Sequence, residues 1–281
     1  MNITLAQNNY GKSRVRLLRV NRRERQHEVK DLTFSIQFEG DFEAAHIAGD
    51  NRKILPTDTM KNTVYVLAKQ FPVEPIEDFS MHLIEHFLTA NAQVSKVRVL
   101  AVEKFWNRIP IGGGVHRLAF ASAGTESRTS ETDGTREEFR IRAGIKNLIV
   151  LKTAESAFEG FLRGPYTTLG DTHDRMLSTN LRAHWLYEGN AIPFSQTWHS
   201  VRQVLLENFA DHDSRSLQHT LYAMREAILK NFESIREIRL SLPNQHYNLV
   251  DLSPFGLTNE NEIFLPTDEP HGLIEATLKK S

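Results

Sequence analysis

Between residues 30 and 38 the chain reads Lys-Asp-Leu-Thr-Phe-Ser-Ile-Gln-Phe, with Leu32, Phe34, Ile36 and Phe38 at every second position. A two-residue period places those four side chains on one face of a strand and leaves its other face polar. Residues 13–20 read as a second strand, and the polar stretch 21–26 between them predicts an antiparallel hairpin with a longish loop. Phe79, Leu83 and Phe87 recur every fourth residue, which predicts an amphipathic helix over 77–90, and 97–105 reads as another strand. Pro56 biases Leu55 away from helical angles, so Thr57 or Asp58 is expected to cap a helix that buries Met60 and Val64. Gly112-Gly113-Gly114 reads as a flexible turn, without the spacing or following helix of a nucleotide-binding loop. Residues 122–136, rich in Ser, Thr and Gly, read as a loop or a seam.

The second half repeats the plan. Residues 139–145 and 147–152 predict strands, and Tyr166-Thr167-Thr168-Leu169 stands where the first half has its Thr57 element. Leu181, Ala183, Trp185 and Tyr187 alternate. Val201, Leu205 and Phe209 mark one helix, and Leu217, Leu221, Met224 and Ile228 another. Residues 238–242 and 247–252 close the pattern as a strand pair. Two successive hairpin–helix–helix–hairpin units, 1–136 and 137–281, place the chain in the α+β class, with antiparallel sheets covered by helices on one face. An open sheet edge predicts assembly with further copies.

Composition narrows the chemistry. The 281 residues are 40% hydrophobic and 25% charged, with a net charge of −1. That balance favours neither nucleic acid nor an anionic membrane as partner. With no cysteine, disulfides, thiolate catalysis and cysteine-ligated clusters are excluded. The N-terminal residues lack a signal-peptide pattern, the longest aliphatic run is 148–151, and the chain ends Leu-Lys-Lys-Ser, which is no peroxisomal tripeptide. The expectation is a cytoplasmic protein.

His82-Leu83-Ile84-Glu85-His86 matches the His-x-x-Glu-His pattern of a zinc site, but no third-ligand segment follows. A pair of histidines flanking an apolar stripe is the preferred reading. No Gly-x-Ser-x-Gly elbow is present. More informative are three polar intrusions into structural segments. Tyr10-Gly11-Lys12 opens the first strand, Pro243-Asn244-Gln245-His246 interrupts the last strand pair, and a long block runs from Leu148 to Asp174-Arg175.

Together with Thr57-Asp58 and Lys61-Asn62-Thr63, these segments closely resemble the urate oxidase (uricase) family, in order and nearly end to end. Ala154 and the Arg163-Gly164-Pro165-Tyr166 stretch depart from the family pattern, neither at a substrate-contact position, and the glycines before His116 depart as well. Phe42–His46 and Gly272–Thr277 look more like the bacterial members. The resemblance implies two tandem tunnelling-fold domains and a homotetramer whose sheets close into barrels. It also implies active sites at subunit interfaces, with Lys12, Thr57 and Asp58 from one chain and Phe158, Arg175, Leu217, Gln218, Asn244 and His246 from its neighbour. Urate would be oxidised by dioxygen to 5-hydroxyisourate and hydrogen peroxide without metal or organic cofactor. Phe158 would stack on the purine, Arg175 and Gln218 would bind its polar edge, and the first helical turn at Leu217 and Gln218 would favour an anion. Lys12 and Thr57 resemble a base and relay that His246 extends, a role that asks for a lysine held ready to release its proton. Asn244 with Thr57 would hold oxygen or water above the ring, and Asp58 would orient the corner. A tunnelling-fold relative acting on a pterin or another purine is the alternative.

Overall fold

The computed structural model describes residues 3–281, apart from the side chain of Asp268. In chain order the elements are β1 (Tyr10–Arg22), β2 (His27–Gly40), α1 (Glu43–Ile47), α2 (Thr57–Gln70), α3 (Ile76–Ala90), β3 (Val94–Ile111), β4 (Gly114–Gly134), β5 (Phe139–Lys152), β6 (Leu177–Tyr187), α4 (Phe194–Asp211), α5 (Leu217–Asn231), β7 (Ile235–Leu249), a 3-10 turn (Ser253–Phe255) and β8 (Phe264–Lys279). The chain divides into two compact units, Met1–Gly144 with Leu186–Trp198, and Ile145–Trp185 with His199–Ser281.

In the first unit β1 to β4 form an antiparallel meander. The alternation in β2 does what its period requires: Leu32, Phe34, Ile36 and Phe38 are all fully buried, beneath α2 and α3. Phe34 meets Phe79 and Phe38 meets Phe87 edge-to-face, with ring centroids 5.2 and 5.0 Å apart. Each such side chain contributes about 1.5–3 kcal/mol by leaving water, so this seam fixes helices to sheet. The opposite sheet face is ionic, with Arg98 2.7 Å from Asp133 and Arg142 3.2 Å from Glu131.

Residues 122–136 are not the expected loop. Residues 122–134 belong to β4; after a register shift between Ser122 and Ser127, residues 127–134 pair one by one with β3, as in Ala101↔Ser130 and Val99↔Thr132. Pairing satisfies the backbone, and the hydroxyls are buried with it: Ser127, Thr129, Ser130 and Thr132 are all inside. Here the neighbouring strand decides, not the composition. Gly112-Gly113-Gly114 is the tight β3–β4 turn expected, with Gly113 in the left-handed region.

In the second unit the helices marked by Val201 and by Leu217 are α4 and α5, and α5 packs on β7 and β8. Two expectations fail. Residues 238–252 are not a strand pair: β7 runs on through Pro243 to Leu249, and its partner is β8, which sequence periodicity did not reveal. Tyr166-Thr167-Thr168 starts no helix but lies in a turn, closed by Thr167 N–H donating to the Gly164 carbonyl at 3.0 Å. Among the described residues no helix is long and apolar enough to cross a membrane.

Candidate active site

Lys12, Thr57 and Asp58 meet in the first unit because two separate devices bring β1 to the start of α2. Gly11 lies so close to β2 that a Cβ there would sit 1.8 Å from the Ile36 carbonyl oxygen, so only glycine fits. Immediately after it the β1–β2 register slips between Lys12 and Val15. Arg14 takes a left-handed φ of 57°, and its N–H is received by Ser35 Oγ at 3.0 Å. Such a bulge bends the strand and re-aims the side chains beside it. The second device is Tyr10, whose ring packs edge-on to Phe38 and Phe42 and whose hydroxyl accepts the Leu55 N–H at 2.9 Å. Burial raises the Tyr10 pKa, so the hydroxyl stays protonated.

The helix start differs from the expected cap. Pro56 is the N-cap, and no side chain caps the turn. Thr57 and Asp58 are already the first two helical residues, and the first ladder bond runs from Met60 N–H to the Pro56 carbonyl. The amides of Thr57, Asp58 and Thr59 precede that ladder and face outward from the positive end of the helix. The Asp58 carboxylate instead turns along its own helix to Lys61 Nζ at 2.5 Å and Asn62 Nδ2 at 3.0 Å. Lys61, then Asn62 and the charge of Lys12, hold the Asp58 carboxyl below the usual carboxylate range.

The second unit carries the other six residues. Phe158 is fixed by an isolated antiparallel bridge to Thr172, with bonds of 2.7 and 3.0 Å, and Phe161 stacks on it at 4.9 Å. The Arg175 guanidinium sits over the Phe158 ring, 5.4 Å from its centroid. Burial lowers the Arg175 pKa, and its Nε is buried with no protein partner. An unmatched buried donor on a cation is costly unless a ligand takes it. Arg175 opens onto a cleft of about 740 Å³ that Asn244 and His246 also line. They stand where β8 skips from Gly272 to Thr267 along β7, so Pro243 marks an irregularity within a strand, the exception in which proline is tolerated.

Leu217 and Gln218 are the first two residues of α5, as expected, with Ser216 as N-cap accepting the His219 N–H at 3.1 Å. They are tied to Phe158's segment through the Ser156–Ser214 bridge, where Ala157 N–H reaches the Ser214 carbonyl at 2.6 Å. Both units thus offer the same device, a helix start whose first two residues are site candidates.

Sequence reasoning missed Tyr10 as a tether, and Asp174, which lines the cleft and accepts the Ser156 N–H at 3.3 Å. It also missed Gln245, whose Oε1 accepts from Ser178 Oγ at 3.0 Å. The last two are neighbours of predicted residues, and that adjacency was the only signal. His82 and His86 lie exposed on α3, one ring stacked on Phe71 and the other edge-on to Phe87. Among the described residues no group of three or more His, Cys, Asp or Glu converges on a metal position.

The family model described as Uricase matches residues 8–133 and 141–275. A uricase of Arthrobacter globiformis is 44% identical over 99% of this chain and 90% of its own length. One from Oryctolagus cuniculus is 38% identical over 96% of this chain and 93% of its own. The crystal structure of the Arthrobacter globiformis protein superposes with a TM-score of 0.94 over all of this chain and 96% of that one. A uricase structure from Bacillus fastidious, 22% identical, shares the fold at a TM-score of 0.83 over 98% of this chain and 94% of that one.

Proposed function

The chain belongs to the uricase family, and on that premise it is a urate oxidase; we propose that the two clusters above are halves of one active site. Lys12, Thr57 and Asp58 of one copy complete it with Phe158, Arg175, Leu217, Gln218, Asn244 and His246 of another. Urate, dioxygen and water give 5-hydroxyisourate and hydrogen peroxide: one hydroxyl is added to the purine, two electrons leave it, and dioxygen takes them with two protons. No metal or organic cofactor is required, because the doubly deprotonated purine is electron-rich enough to reduce dioxygen itself.

The protein's task is then to hold an anion, take its protons and confine dioxygen. Phe158 supplies a flat apolar face for the ring. Arg175 directs two donors at one polar edge of the anion, and Gln218 matches the other with a donor and an acceptor. The free amides at the starts of α2 and α5 favour negative charge. Lys12 takes the proton through the Thr57 hydroxyl, and His246 carries the relay on. Asn244 and Thr57 hold dioxygen, then water, above the ring, while Asp58, engaged with Lys61, fixes the first turn of α2. The halves 1–136 and 137–281 are tandem tunnelling-fold domains, and four copies assemble in the cytoplasm with their sheets closed into barrels.

The observation that carries this reading is Arg175: a half-buried cation over an aromatic ring, its buried Nε donor unmatched, opening to Asn244 and His246. The test is urate oxidation in air by chelator-treated protein, following purine absorbance, oxygen uptake and peroxide, beside Lys12→Ala and Thr57→Ala. Stoichiometric oxygen use that survives chelation and collapses in both variants is expected. No loss of urate would redirect the assignment to pterins or other purines. Activity lost on chelation would restore a catalytic metal.

A further inference from the structure

His212 and His219 face each other outside the residues assigned above. His212 Nε2 and His219 Nδ1 are 3.1 Å apart, and the ring centroids 4.3 Å. Their backbones are placed by bonds that do not involve the rings. His212, in the α4–α5 loop, offers its carbonyl to Lys152 Nζ at 3.0 Å. The loop is closed by Thr220 Oγ1 donating to Ser214 Oγ at 2.7 Å, and His219 is held by its cap to Ser216.

An imidazole–metal bond is about 2.0–2.1 Å long. Two such bonds ending on nitrogens 3.1 Å apart enclose an angle of about 100° at the metal. That lies between the octahedral and tetrahedral angles, so the spacing of these two nitrogens suits one shared ion once the rings turn toward it. Burial and the neighbouring His219 lower the His212 pKa, which favours the neutral ring that metals bind. Of the charges nearby, Asp213 attracts a cation and Lys152 opposes it.

We propose that His212 and His219 form a two-imidazole site for a borderline divalent transition-metal ion of the Cu²⁺, Ni²⁺ or Zn²⁺ class. The site lies at the first turn of α5 beside Gln218, holds one ion per chain, completes its coordination with water, and takes no part in the oxidation.

The test is calorimetric titration of Cu²⁺ and of Zn²⁺ into untagged, chelator-treated protein. One saturable ion per chain is expected, Cu²⁺ tighter than Zn²⁺ by the general affinity order. His212→Gln and His219→Gln should each weaken binding about tenfold or more. His86→Gln should leave it unchanged, which excludes the His82–His86 pair. Nitrogen hyperfine structure in the electron paramagnetic resonance of the Cu²⁺-loaded wild type should count two imidazoles, and this readout survives if a variant fails to fold. No saturable site, unchanged affinity in both variants, loss in His86→Gln, or fewer than two nitrogens would each overturn the proposal. None of these readouts depends on urate turnover.

Discussion

The hydroxyl oxygen of Tyr10 accepts the backbone N–H of Leu55 at 2.9 Å, joining the start of β1 to the residue before Pro56. Two positions beyond each end of that bond stand Lys12 and Thr57. The bond therefore sets the distance between a proposed base and its relay. Tyr10→Phe keeps the ring contacts with Phe38 and Phe42 but leaves the amide unmatched, at a cost of roughly 1–3 kcal/mol. The expected result is a lower urea midpoint, read by circular dichroism, together with a lower kcat at nearly unchanged KM for urate. A fall in stability with kcat intact would show that the tether serves folding alone.

Arg175 separates charge from shape. Arg175→Lys retains a cation but loses the planar fork and the buried Nε donor. A hydrogen bond to a charged group is worth about 1.5–3 kcal/mol, so steady-state assays should show KM for urate raised about 10- to 100-fold, and Arg175→Met should be worse. An unchanged KM in Arg175→Lys would mean that charge suffices and the fork contributes nothing.

Part of this was legible in the chain. Leu32 to Phe38 and Phe79 to Phe87 have clean periods because each faces a single apolar surface, and both elements formed as read. β4 was hidden because its inward residues are Ser and Thr, and β8 because Pro266, Pro270 and Gly272 break its alternation. The candidate site residues came from an ordered set of short motifs. The Tyr10–Leu55 bond was not, since it spans 45 residues and leaves no local trace. The cap expected at Thr57 or Asp58 was placed too late because Pro56 itself takes the N-cap position, with ψ at 136°.

Arg128 and Glu77 form an ion pair at 2.5 Å within the first unit, their side chains 2% and 0% exposed. Ser195 Oγ takes a further Arg128 donor at 3.1 Å, and the Trp198 ring lies under the guanidinium. Burial pushes the Glu77 pKa up, and Arg128 opposes that shift. Arg128→Met would strand a buried carboxyl, with an expected loss of about 3–5 kcal/mol in urea unfolding. Pairing it with Glu77→Leu removes both charges and should recover most of that loss. A double variant no more stable than Arg128→Met would show that the ionic pair itself, rather than the stranded charge, stabilises the fold.

Lys30 sets the alkaline limit of the same unit. Its Nζ lies 2.7 Å from Glu103 and 2.8 Å from Glu74, and the Glu103 side chain is 3% exposed. Burial alone would lower the Lys30 pKa, but the two carboxylates outweigh it and the value is raised. A lysine whose folded pKa exceeds its unfolded one holds its proton in the native state after the unfolded chain has released it. Its contribution is fully present below the unfolded value, about 10.4, and is lost as pH climbs through the higher folded value. Urea unfolding of the wild type should therefore lose stability from about pH 10 upward, and Lys30→Met should be less stable near neutrality yet converge on the wild type at the alkaline end. Lys30→Arg, which stays charged throughout, should remove most of this alkaline slope. A gap between wild type and Lys30→Met that stays constant across that range would mean that Lys30 acts by packing its stem, and not by its charge on Glu103.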